Sequence, residues 1–137
     1  MSIILKRSLL MLSAFVLVLT VAGCQQVSDA RAEFCTELRD VGARAVELQA
    51  AKVDEPISKY QSTIDNLAAK RRNIQRLARL TSIEAVDKLD AALDKVAQAY
   101  ATVQGNVLGP AADKVTSAAA ELRQVYDNIN TAVCAAK

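Results

Sequence analysis

Thr81-Ser82-Ile83-Glu84 is the stretch on which the fold turns. Upstream of it Ile57, Tyr60, Ile64, Leu67, Ile74 and Leu77, and downstream of it Val86, Leu89, Leu93, Val96, Tyr100 and Val103, follow the three-four spacing of helices with one apolar face. No Gly or Pro parts the two series. Thr81 followed by Glu84 is a capping-box pattern, in which hydroxyl and carboxylate each accept from an otherwise unpartnered N–H of the first turn. Read that way, one helix ends and another begins near residue 82. Without the break, helices 2 and 3 merge into one rod with helices 1 and 4 folded back along its halves. That three-helix form exposes apolar faces and is expected to be dimeric.

Outward from this stretch the same period continues. Phe34, Leu38, Val41, Ala45 and Leu48 mark helix 1, capped by Ser28 or Asp29. Gly42 interrupts that helix beside its stripe, where the missing Cβ suits close approach of a neighbour. Val53-Asp54-Glu55-Pro56 is a loop, with Pro56 suited to a first helical position. Gly105 and Gly109 bracket another, and Pro110 opens helix 4 with Val115, Ala118, Leu122, Val125, Ile129, Ala132 and Val133 as its stripe. The expected helices cover about 29–52, 56–80, 82–104 and 110–135. Similar lengths and short loops predict an all-α, up-down-up-down four-helix bundle as a single domain over 24–137.

The first 23 residues differ in kind. Lys6 and Arg7 precede an apolar run from Leu9 to Ala22, which is short for a membrane span of about 20 residues and ordinary for the core of a secretory signal. It ends in Val21-Ala22-Gly23-Cys24, which resembles the lipobox of bacterial lipoproteins, with Val in place of the more usual Leu. The resemblance implies cleavage before Cys24, lipid on its sulfur and, in many bacteria, palmitate-type acylation of its new amine. Two or three chains anchor stably where one is marginal. It also implies an exported protein held at the bacterial cell membrane or outer membrane, and Gln25 after the cysteine favours the outer membrane in a Gram-negative envelope.

Removing the leader takes away two of the 17 Lys and Arg and none of the 15 Asp and Glu. The domain that remains is formally neutral, so the chain's +2 charge belongs to the leader and gives no reason to expect nucleic acid. In an exported domain the other two cysteines, Cys35 and Cys134, are expected to form a disulfide. An up-down bundle puts them at one end of adjacent helices. Redox or metal chemistry has little to draw on, because the chain has no His and no Cys-x-x-Cys.

Lys70, Arg71, Arg72, Arg76 and Arg79 form the densest charge cluster. Lys70, Arg72, Arg76 and Arg79 are candidates for contact with an anionic surface, but an antiparallel bundle also sets acids beside the bases. It places Arg71 level with Glu37, Arg79 with Asp29, Arg72 beside Asp90 and Arg76 beside Asp87. A largely self-neutralising lattice is the favoured reading. Arg71 falls on the apolar stripe itself, and a charge buried there needs a partner from among Glu37, Asp90 and Asp94.

Catalytic patterns are missing: there is no glycine-rich phosphate loop and no Gly-x-Ser-x-Gly elbow. No cofactor or metal is expected. The sequence points to a noncatalytic lipoprotein, bound to the membrane through its lipid, acting as a structural or protein-docking module of the cell envelope. The alternative is a bundle that holds a lipid or small apolar ligand, against which stand Ala-rich seams with few aromatic residues. The loops around 54–56 and 105–110 lie at the end away from Cys24 and are the expected partner surface.

Overall fold

The computed structural model describes the backbone of residues 2–135 and the side chains of residues 24–135. Four α-helices lie among the described residues: α1 (Ser2–Gln49), α2 (Ser58–Thr81), α3 (Val86–Ala101) and α4 (Ala111–Ile129), the last continued by a π-helical turn over Asn130–Cys134. Each packs on its chain neighbours and α1 packs on α4, while the backbones of α1 and α3, like those of α2 and α4, stay apart on the diagonals. The result is the up-down-up-down four-helix bundle.

Helices 2 and 3 are separate, but the break is made differently from the one expected. Ser82 takes a left-handed conformation, φ 54°, and caps the C-terminus of α2. Its N–H and that of Ile83 both donate to Ala78 O. One carbonyl of the last turn thus accepts from both N–H groups that follow the helix. The Thr81 hydroxyl donates back to Leu77 O at 2.9 Å, so it caps nothing ahead of it. Helix 3 starts four residues later than expected, at Val86, with Ala85 before it and no side-chain cap. The reversal is therefore built by ending α2 with a left-handed residue, and no capping box forms.

Helix 1 also departs from expectation, since it is helical without interruption from Ser2 through the proposed start at Ser28 and Asp29. Gly23 is the only weak helix former near the junction, and one glycine costs about 1 kcal/mol, too little to break a long helix of good formers. Helix 3 ends at Ala101 and helix 2 begins at Ser58 because the intervening segments pair with each other at the far end of the bundle.

The stripes meet as the spacing requires. Phe34, Leu38, Val41, Ala45 and Leu48 are fully buried, and Tyr60, Leu67, Ile74, Leu77, Leu89, Leu93, Val96, Val115, Leu122 and Ile129 join them in one core. Ile57, Ile64, Val86, Tyr100, Val103, Val125 and Val133 pack on its margin. Small residues, Ala92, Ala112 and Ala119, fill positions between the larger ones and let the helices approach.

Three features close α1 against α4. Cys35 and Cys134 are joined, with Cα atoms 5.7 Å apart and a separation of 99 positions in sequence. Closing a loop of that size restricts the unfolded chain by about 4 to 5 kcal/mol in the chain-entropy account. Arg31 adds a hydrogen bond to Val133 O at 2.9 Å. Farther along, the ring of Tyr126 lies over Gly42: a Cβ placed there would stand 2.7 Å from two ring atoms. The neighbour that Gly42 makes room for is thus an aromatic side chain of α4.

Ser82→Gly should stabilise the bundle by about 0.5 to 1 kcal/mol in chemical denaturation, because glycine takes the left-handed cap without a Cβ penalty. Gly42→Ala should cost about 1 kcal/mol by displacing the Tyr126 ring. In a Tyr126→Ala background the same change should reverse sign and gain up to about 1 kcal/mol from helix propensity. A double-mutant cycle that found the two additive would refute the contact.

Candidate functional site

The far end of the bundle is built from two loops that hold each other. Pro56 and Val107 form an antiparallel bridge. Ile57 N–H donates to Asn106 O at 3.0 Å, Leu108 N–H to Glu55 O at 3.0 Å and Gly109 N–H to Val53 O at 2.9 Å. Gly105 and Gly109 supply the positive φ angles, 89° and 54°, that turn the second loop toward the first. Leu108, 1% exposed, plugs the core beneath them. Tyr100 spans the two loops as well, donating its hydroxyl to Ile57 O at 3.0 Å.

Around this pair the surface is mixed. Glu55 accepts from Lys59 Nζ at 2.9 Å and from the Tyr60 hydroxyl. The hydrogen bond from Lys59 is the main reason the Glu55 carboxyl is held below its ordinary range, and burial raises the Tyr60 hydroxyl above its own. Beside them Val53 and Val107 stand 56% and 44% exposed. Two apolar side chains are thus held in open solvent by loops whose backbones are fixed to each other.

The second candidate is the seam between α2 and α3. Ile64, Leu67, Ala68, Leu93, Val96 and Ala97 floor an open cleft of about 400 Å³, with Arg71, Arg72 and Gln75 at its edge. The short side chains of Ala68 and Ala97 leave the opening. Arg71 bridges the two helices: its Nε and Nη2 reach the two oxygens of Asp90 at 2.5 and 2.8 Å, and Nη1 reaches Asp94 at 3.1 Å. Gln75 donates to Asp90 at 2.6 Å. The hydrogen bond from Arg71 leads the causes that hold the Asp90 carboxyl below the usual range, and the same contact holds the guanidinium proton still more firmly. A carboxylate held in that way is a poor proton acceptor at neutral pH.

Arg71 was expected to be buried, with Glu37, Asp90 or Asp94 as its partner. It finds Asp90 and Asp94, yet its side chain remains 32% exposed, because the seam opens at this level. Glu37 belongs instead to Lys70, whose Nζ lies 2.7 Å away and also 3.5 Å from Asp40. One step along a helix turns the side chain by about 100°, so residue 70 faces α1 while residue 71 faces α3. Arg76 meets Glu33 at 3.3 Å rather than Asp87. Of the four residues considered for an anionic surface, Lys70 and Arg76 are therefore engaged within the bundle. Arg72 and Arg79 have no acidic partner among the described residues, contrary to the pairings with Asp90 and Asp29.

Cys24 is exposed and carries a free thiol at the end opposite the paired loops. The side chains of the leader itself lie outside the described residues. Among residues with described side chains no helix is long and apolar enough to cross a membrane, and no group of three or more His, Cys, Asp or Glu is placed to hold a metal. No family model matches the chain, and no curated protein or solved structure is significantly similar to it.

Paired loops and their bridge were not visible in the sequence beyond the Gly and Pro that mark them. The apolar residues between two glycines, Val107 and Leu108, were the available signal, since a buried plug in a loop needs a side chain of that kind.

Arg71→Ala should lower the stability by about 1 to 2 kcal/mol, whereas Arg72→Ala should fall within about 0.5 kcal/mol of the parent. Asp90 is depressed in the folded state, so its contribution is complete above the ordinary carboxylate range and is lost as pH falls through the depressed one. The gap between parent and Arg71→Ala should accordingly hold from neutral pH to about pH 4 and narrow below it. Urea titrations of the three proteins at several pH values give this directly. Equal, negligible losses for both variants would sink the assignment.

Proposed function

We propose that the protein is a noncatalytic, lipid-anchored docking module of the bacterial cell envelope, tethered through Cys24 and presenting the paired loops to a protein partner. The single observation that carries the docking half is the exposed Val53 and Val107 on loops fixed to each other by backbone hydrogen bonds. Apolar side chains on a rigid, preordered backbone lose little entropy on binding, and such anchors favour association. The anchoring half rests on the lipobox resemblance at Val21-Ala22-Gly23-Cys24, with Gln25 pointing to the outer membrane in a Gram-negative cell.

The second reading, a bundle that binds a lipid or small apolar ligand, has the cleft between α2 and α3 in its favour. Its size falls in the range of small-molecule sites. Its floor, however, is already covered: Leu67, Leu93 and Val96 are only 1 to 5% exposed. A ligand settling there would remove little apolar surface from water, and at about 25 cal/mol per Å² the gain is small. Docking at the loops is the better-supported reading.

A photo-crosslinking residue introduced at position 53, 107 or 120 of the full chain, expressed in its own envelope, separates the two. Position 120 lies on the exposed flank of α4 and serves as the control. One protein adduct of defined mass from positions 53 and 107 but not 120, abolished by Val107→Asp without change in the melting temperature, is the expected result. Identical adducts from all three positions, or lipid adducts alone, would overturn docking at the loops.

A further inference from the structure

We infer that the end of the bundle nearest Cys24 is itself a membrane-contact surface, in which Leu80 and Val27 enter the interfacial layer of the bilayer. The inference rests on the anchored reading of Cys24 and adds how the domain sits on its anchor.

Three observations lead to it. The backbone is helical from Cys24 through Gln49, and only residues 25 to 29 separate the anchoring residue from Ala30, the first buried residue of α1, so the tether between anchor and bundle is short. Val27 stands about 4.5 Å farther along that helix, at 1.5 Å per residue. Next, the contacts between α1 and α2 fix their register: Thr63 meets Glu47, Lys70 meets Glu37 and Arg76 meets Glu33. Continuing that antiparallel register brings Leu80 level with residues 27 to 30, only about 6 Å above Cys24 along the axis. Arg71 and Gln75 with Asp90 likewise make the turn over 82–85 the lowest part of α2 and α3.

Third, Leu80 is 54% exposed and Val27 49%, which sets two large apolar residues in solvent at that level. Ile83, half-buried, packs behind them on the core. A diacylglyceryl group on Cys24 puts its glycerol at the headgroup boundary, and apolar faces of membrane-surface helices enter that boundary by about 5 to 10 Å. Leu80 and Val27, about 6 and 4.5 Å to the water side of Cys24, fall within the polar interfacial layer, which adds about 5 to 7 Å on each side of the hydrocarbon core.

The charges at this rim decide which lipids matter. Arg79 has no acidic partner among the described residues, and Asp29 and Glu84 at the same end of the bundle are exposed and of opposite sign. Cation and anions offset one another. The contact is therefore apolar in origin and requires no anionic lipid, in contrast to a polybasic patch.

The chain contains no Trp, so a single introduced indole reports its own surroundings. Leu80→Trp, Val27→Trp and, as a distal control of similar exposure, Val53→Trp are expressed as full-length lipidated protein. They are then reconstituted in phosphatidylcholine vesicles with and without brominated acyl chains. Trp at positions 80 and 27 should emit at shorter wavelength on vesicles than in detergent-free solution of a Cys24→Ala form, and should be quenched by the brominated lipid severalfold more than Trp at 53. Retained helical circular dichroism and the parental melting temperature show that each variant is folded; position 27 serves if position 80 does not tolerate the indole. Protein that floats with vesicles yet shows equal quenching at all three positions overturns the contact and leaves the anchor standing. Protein that fails to float overturns both.

Discussion

Closure of α1 against α4 is the constraint on which the rest of the bundle depends. The other helix pairs are neighbours in sequence and are brought together by short connections, but the first and last helices must find each other across the whole domain. Three contacts of different chemistry make that closure: the bond between Cys35 and Cys134, the hydrogen bond from Arg31 to Val133 O, and the seating of Tyr126 over Gly42. The covalent one acts on the unfolded chain and the packed one on the native state, so they stabilise through separate terms. Where Cys134 is tied down, the helix widens into a π turn that closes with Ala135 N–H on Asn130 O at 2.8 Å. Such turns usually mark a local demand that a regular helix does not meet.

The opposite seam, between α2 and α3, is held by other means. Ala68 and Ala97 leave it open on the outside, and the guanidinium of Arg71, gripping Asp90 and Asp94, replaces side-chain packing across the gap. An arrangement of that kind fixes register, since a planar fork meets a carboxylate in few ways, while contributing less than apolar burial would. One seam is thus sealed covalently and by close packing, and the other is aligned electrostatically and left partly open. Loops at one end and the Ser82 reversal at the other finish the domain.

Much of this was legible in the sequence because amphipathic spacing is a direct record of burial. The five α1 residues from Phe34 to Leu48 are all without exposure, and the stripes of the other helices fall in the core or at its margin except for Ala132, which is exposed where helix 4 passes into the π turn. The pairing of Cys35 with Cys134 followed from an even pair of cysteines in a domain read as exported, and the bundle topology permitted it. Less legible were features set by single backbone conformations or by contacts distant in sequence. Ser82 ends α2 in a conformation that Gly or Asn usually takes, so the residue type gave no warning and the nearby capping-box letters pointed the wrong way. Glu37 pairs with Lys70 and not with Arg71, because one residue of rotation separates one helix face from the next. The bridge between Pro56 and Val107 joins loops about 50 residues apart, beyond the reach of any local pattern.

The span between the two bonded cysteines also has a consequence in time. At a synthesis rate of about 5 to 20 residues per second, Cys35 exists for roughly 5 to 20 seconds before its partner has been made. Throughout that interval the domain lacks the end of its fourth helix, and Cys35 lacks the partner it has in the folded bundle. A disulfide with Cys134 can therefore form, with two electrons passing to an external thiol oxidant, only after residue 134 has been made, and any product shortened before it carries a Cys35 without this partner.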